Sequence, residues 1–239
     1  MTSLPGAGSA PLPEDAATRG LQFPWLAVAV AVVNWVAVAA SWDGVRDVAK
    51  PAVMIVLLWW FWTRTRKRAG LQRWAISVGL VASLGGDIAL IGSSGVDFEA
   101  GLVFFLAAHV AYITGLSTPM MRPRWWSFVT AAALAVYGVW LYSKLAPHLS
   151  GVMTVAAPAY AVALCLMTWS ALRTIERRDW SRAGAVLAAL GGLSFLTSDS
   201  ILSWEHFVGD GSGELAIMVS YHLGQFGIAA GVVNRSVRR

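Results

Sequence analysis

Charge is scarce in this sequence. Asp, Glu, Lys and Arg make up 13% of 239 residues, against about 25% in soluble domains. With 57% hydrophobic residues and a mean hydropathy of +0.61, that deficit excludes a disordered chain, a nucleic-acid-binding domain and an ordinary cytosolic enzyme. Cysteine is nearly absent too. Cys165 stands alone in an apolar run, so no internal disulfide can form and its role is packing. No G-x-S-x-G elbow, P-loop or H-E-x-x-H occurs, and no two histidines share a helix at i, i+4. A Ser-nucleophile elbow, a nucleotide-binding loop and a zincin site are therefore not signalled. Residues 1–20 lack the basic n-region of a cleavable signal peptide. Rich in Pro, Gly, Ala and Ser, they read as a disordered tail.

The composition instead describes an all-α, multi-spanning membrane protein. Eight apolar segments follow the tail, at 21–41, 51–63, 74–92, 100–117, 126–142, 152–172, 183–204 and 214–233. They form a single membrane domain over 21–239. The second is short, so its helix is expected to begin before Pro51, with the proline in the first turn. The basic residues support the count. Of 18 Lys and Arg, only Arg46, Lys50 and Lys144 fall on one side of an eight-span topology. The others lie in the tail, the links after spans two, four and six, and the C-terminus. That asymmetry places both termini in the cytoplasm. Tryptophans near span ends, such as Trp25, Trp42, Trp62, Trp74, Trp125, Trp126 and Trp204, form the interfacial belt.

A weak internal repeat runs through the chain. The third span carries Gly79-Leu80, Ser83, Gly86-Asp87 and Leu90; the seventh carries Gly192-Leu193, Ser198-Asp199 and Leu202. His109 follows Asp87 by 22 positions, and Tyr221 follows Asp199 by the same interval. Four helices separate the copies, so both cross the membrane in the same direction, as in repeats related by an axis along the membrane normal.

An ionisable side chain inside a span costs about 2.5–3.5 kcal/mol or more and usually marks a site. Here those groups are Asp87, His109, Asp199 and His222, accompanied by Tyr112, Tyr160, Tyr221, Asn34 and Gln225. Reckoned from the segment ends, both aspartates lie in the outer half of the membrane, with the histidines somewhat deeper. A packing role for Asp87 beside Gly85 and Gly86 is the structural alternative. Glu205, His206, Asp210, Asp97 and Glu99 fall in expected outer loops. A metal site built from the two Asp and two His is open by ligand type, but its spacing matches no known signature, and no metal or other cofactor is expected.

These residues resemble the YhhN-type lysoplasmalogenases, a family of polytopic membrane proteins. The resemblance is carried by Lys50-Pro51, the helix from Gly79 to Leu90, Phe98 and Gly101, His109-x-x-Tyr112, Tyr160 with Met167, Ser198-Asp199-Ser200, and Tyr221 with Gln225. It implies hydrolysis of the vinyl-ether bond of lysoplasmalogens to a fatty aldehyde and glycerophosphocholine or glycerophosphoethanolamine, in the cell membrane, with lysophospholipid and bilayer as partners and no nucleic acid. Such a reaction protonates an alkene carbon and adds water to an oxocarbenium-like cation, which calls for an acid, a base and nearby negative charge. The expectation is that Asp87 and Asp199 form the acid–base pair. His109, Tyr112, Tyr160, Tyr221, His222 and Gln225 would orient water or substrate. A transporter using the same polar residues and a metal-dependent lipid hydrolase are the competing readings.

Overall fold

A computed structural model describes residues 21–68, 70–92, 94–120, 122–209 and 212–235. The expected tail, together with Arg19, Asp210, Arg238 and Arg239, lies outside the described residues. Among these residues the chain is all-helical. The helices are α1 (Trp25–Ala39), α2 (Asp43–Arg64), α3 (Leu71–Ala89), α4 (Gly95–Ser117), α5 (Trp125–Leu145), α6 (Met153–Leu172), α7 (Arg182–Phe207) and α8 (Glu214–Val233). Short 3-10 turns, Ala146–His148 and Arg173–Glu176, extend α5 and α6. The helices follow the eight apolar segments in order.

Five of them, α4 to α8, are long and apolar enough to cross a membrane. α1 is apolar but has only 15 residues. The first half of α2 carries Asp43, Arg46, Asp47 and Lys50, and α3 has Arg73 near its start and Asp87 near its end. As expected, α2 begins before Pro51, though eight residues before it rather than within one turn. Lys50 therefore lies inside a helix, two turns from its start. α4 also starts earlier than expected, because Ser94 and Asp97 form a reciprocal capping box that satisfies free amides of the first turn. Asp97 and Glu99 thus belong to α4, and Glu205 and His206 to the last turns of α7. These four are helix-end residues, not loop residues.

Small residues set the packing. Between α7 and α8 the backbones nearly touch. A Cβ on Gly227 would lie 2.6 Å from Gly191 Cα and 2.7 Å from the Leu187 carbonyl oxygen, so only glycine permits the approach. Between α3 and α4, glycines seat aromatic rings. Gly79 faces the Tyr112 ring, and Gly86 faces Phe105. In α8, 78% of the apolar stretch is buried; in α5, 11%. α5 is therefore an outer helix, held mainly against α6.

The helix ends sort into two faces. The starts of α3, α5 and α7 and the ends of α4, α6 and α8 share one face, which holds most of the arginines. There, buried Arg177 donates to the carbonyls of Leu116 (2.8 Å) and Thr118 (2.9 Å), satisfying carbonyls at the end of α4. Asp179 lies between Arg177 and Arg235, and Arg235 also donates to Gln72 at 2.6 Å. Burial raises the Asp179 carboxyl, but the Arg177 hydrogen bond and the two guanidinium charges outweigh it and hold the group below its usual range.

Candidate active site

The two intrahelical aspartates lie toward the opposite face. Asp87, third from the end of α3, and Asp199, eight residues before the end of α7, line one cavity of about 260 Å³. Exposed Ser94, His206 and Glu214 line its outer end, and buried Lys50 lines its interior. His206 stacks on Phe98 with ring centroids 3.5 Å apart. Both aspartates are buried, at 1% and 7% exposure. They do not lie equally far from their helix ends, as expected, because α7 continues past Trp204 to Phe207.

Each aspartate is met by the other hairpin. Tyr221 of α8 donates to Asp87 Oδ2 at 2.7 Å. His109 of α4 places Nε2 3.6 Å from Asp199 Oδ2. His109 and Tyr221 are the two residues that follow the aspartates by 22 positions. The contacts are thus reciprocal: each hairpin's carboxylate faces a ring of the other hairpin. Phe195 fills the space between them, 5.0 Å from the His109 ring and 5.6 Å from the Tyr221 ring.

The remaining contacts differ between the two acids. Lys50 Nζ lies 3.9 Å from Asp87 Oδ1, so a basic side chain faces that carboxyl. Asp199 has no Lys or Arg in salt-bridge range among the described residues; Tyr160 of α6 donates to its Oδ2 at 2.5 Å. Asp87 Oδ1 and both His109 nitrogens are buried without a hydrogen-bond partner among the described residues; of the two residues, Asp87 lines the cavity, where its free oxygen can bond a bound molecule. Asp199 and Tyr160 also line a second, almost wholly apolar cavity of about 70 Å³ that runs toward α5 and α6. Asp199 therefore stands at the boundary between a polar and an apolar chamber.

Three of the expected residues lie apart from the carboxylates. Tyr112 donates to Gln225 Oε1 at 2.6 Å and lies 3.4 Å from the Ser83 hydroxyl. Those bonds join α3, α4 and α8 below the cavity. His222 accepts from Trp35 Nε1 at 2.9 Å, which ties α8 to α1. Lys50 and Phe195 were not expected at the site. Lys50 had been counted as an outer topology charge, and the helical start of α2 at Asp43 is the signal that would have turned it inward. Phe195 is one apolar residue among many and had no distinguishing signal. No three His, Cys, Asp or Glu side chains among the described residues are grouped to hold a metal ion.

Residues 45–232 match the sequence profile of the YhhN family. The chain belongs to the YhhN family. The matched region contains every residue of the cavity described above. Among curated relatives, this YhhN protein is similar to lysoplasmalogenase TMEM86B of Sus scrofa, 27% identical over 193 residues, covering 80% of this chain and 76% of the relative. It is 29% identical to TMEM86B of Rattus norvegicus over 168 residues, covering 70% and 63%. It is 29% identical to lysoplasmalogenase TMEM86A of Homo sapiens over 161 residues, covering 66% and 65%. No solved structure matches the chain.

Proposed function

We propose that this YhhN protein is a membrane lysoplasmalogenase that cleaves the vinyl-ether bond of a lysophospholipid with Asp199 as acid and Asp87 as base. The observation that carries this reading is the shared cavity: two buried carboxyl groups, from two different helical hairpins, line one chamber at the edge of an apolar slot. The names of the relatives supply the substrate class.

The two environments divide the roles. Asp199 borders the apolar slot and has no cationic neighbour, so it is placed to deliver its proton to the alkene carbon of the chain. The adjacent carbon then becomes oxocarbenium-like, stabilised by the negative charge left on Asp199. Asp87, with Lys50 beside it, acts as the carboxylate and takes a proton from water as the water oxygen bonds to that carbon. In the collapse of the hemiacetal, its hydroxyl proton returns to Asp199. The carbon–oxygen bond to glycerol breaks, and Asp87 passes its proton to the glycerol oxygen. One water is consumed, and aldehyde and glycerophospholipid leave. Tyr160 and His109 hold Asp199 in place, Tyr221 holds Asp87, and Tyr112, Gln225 and His222 set the helices that carry them.

In this reading all eight helices sit in the cell membrane with both termini cytoplasmic. α1, α2 and α3 cross as the short or charged members of the set. The α3–α4 and α7–α8 hairpins are the two copies of a parallel repeat, which the reciprocal contacts support. The cavity mouth faces the side opposite the arginine-rich ends.

The test is aldehyde release by purified protein from a vinyl-ether lysophospholipid. Wild-type protein is expected to release it, and Asp87→Asn and Asp199→Asn to lose it by about 100-fold or more. Full activity in both variants would remove the carboxylate mechanism. Lipid movement without aldehyde would indicate a transporter instead.

A further inference from the structure

The apolar cavity at Asp199 adjoins a space on either side. It shares Gly138, Tyr142 and Ala161 with a larger groove of about 430 Å³ between α5 and α6. On its other side it shares Phe105, Asp199 and Leu202 with the polar cavity. The three spaces thus lie side by side with these residues as shared walls. A polar chamber opens at the helix ends, a small apolar cavity lies beside the acid, and a groove runs along the least buried of the five long apolar helices. Gly138 stands in the wall that cavity and groove share, where a Cβ would come within 3.3 Å of Cys165 Sγ. The groove wall beyond it is aliphatic and aromatic, with Leu134, Leu166 and Trp169.

Resting on the function proposed above, we propose that the α5–α6 groove is the binding site and lateral doorway for the substrate's hydrocarbon chain, and that Gly138 and Ala161 set the chain length it accepts. One occupant fits the observations. A single-chain amphiphile has its apolar tail and polar head joined at one point. The row of adjoining spaces is apolar on the α5–α6 side and polar at Lys50, Asp87 and Glu214, and the change of character falls at Asp199. A chain seated in the groove carries its ether carbon to the acid and its phosphate head to the mouth. Because α5 packs chiefly on α6, the groove is reached from the bilayer without unseating the tight α7–α8 pair.

The test compares kcat/KM for a long-chain and a short-chain vinyl-ether lysophospholipid. In Gly138→Leu the ratio of long-chain to short-chain kcat/KM falls by about tenfold or more, the equivalent of losing about two buried methylene groups. Ala161→Leu, in the same shared wall, moves the ratio the same way. Val136→Leu, on an α5 surface that is 71% exposed and outside the groove, leaves it unchanged. An unchanged ratio in both shared-wall variants, or an equal change in the Val136 variant, overturns the proposal. If the wild type cleaves no vinyl ether, the function proposed above fails while the groove is still testable. A lysophosphatidylcholine with a photoreactive group at the end of its tail then labels α5 and α6 if the groove holds the chain. Labelling confined to other helices overturns it.

Discussion

The α7–α8 seam and the α5–α6 groove are built from the same kind of residue and behave in opposite ways. At the seam, Gly191 and Gly227 bring two backbones together with no room for a methyl group. At the groove, a Cβ on Gly138 would meet one side-chain atom, the Cys165 sulfur at 3.3 Å, and no backbone, and the glycine lines a chamber of about 430 Å³. The seam holds α8, which supplies Tyr221 to Asp87. The groove borders α6, which supplies Tyr160 to Asp199. Asp87, on α3, is thus met by a tyrosine from the seam, and Asp199, itself on α7 of the seam, is met by a tyrosine from the groove side. Small residues in a membrane helix mean close packing or free space according to what faces them.

The strongest challenge to this comparison is to remove the acids themselves. Asp87→Asn and Asp199→Asn keep side-chain shape and are expected to abolish turnover while leaving the thermal transition within a few degrees. A large loss of stability in either would recast that aspartate as a packing group. Next, a methyl group can be placed in each region. Gly227→Ala forces Cβ against Gly191 Cα and the Leu187 carbonyl and costs about 1–3 kcal/mol of stability by overpacking. Gly138→Ala meets one sulfur at 3.3 Å and is close to neutral. Equal melting shifts in detergent for the two would erase the distinction between seam and groove. Removing one hydroxyl is gentler. Tyr160→Phe, which loses its bond to Asp199, lowers kcat about tenfold. Tyr112→Phe, which loses its bond to Gln225, costs about 1 kcal/mol of stability and changes kcat less. The reverse order would exchange the roles of the two tyrosines.

The smallest effect belongs to the arginine-rich face. The Asp179 carboxyl is held below its usual range by Arg177 and Arg235 despite partial burial. Its contribution to stability is therefore full at neutral pH and is lost as pH falls below the ordinary carboxylate value of about 3.9 and through the depressed one. The melting temperature of Asp179→Asn should fall less than that of the wild type on acidification from pH 5 to pH 2.

Much of this architecture was legible in the residues because membranes enforce simple rules. Apolar runs had to become helices, since no other open segment satisfies its backbone in hydrocarbon, and the eight runs became eight helices. Buried charge is costly, so Asp87, Asp199 and His109 stood out. The 22-residue interval joined His109 and Tyr221 to the aspartates before any geometry was known. What the residues did not disclose was pairing between elements. The repeat predicted equivalent rings, but not that each would face the other copy's acid. Lys50 was hidden because a helix start two turns away decided whether it faced solvent or cavity. His222, next to Tyr221 in the chain, points to Trp35 and not to the carboxylates. Depth along a span says nothing of rotation about it. The groove was invisible for the same reason: Gly138 and Ala161 acquire meaning only from the helix opposite.

Running the reaction in deuterium oxide reaches the central claim most directly. If Asp199 delivers a solvent-exchangeable proton to the alkene carbon, aldehyde released by the wild-type protein carries one deuterium on the carbon next to the carbonyl, and the Asp199→Asn protein releases almost none. Aldehyde without that deuterium, or undiminished labelled aldehyde from the Asp199→Asn protein, would contradict it.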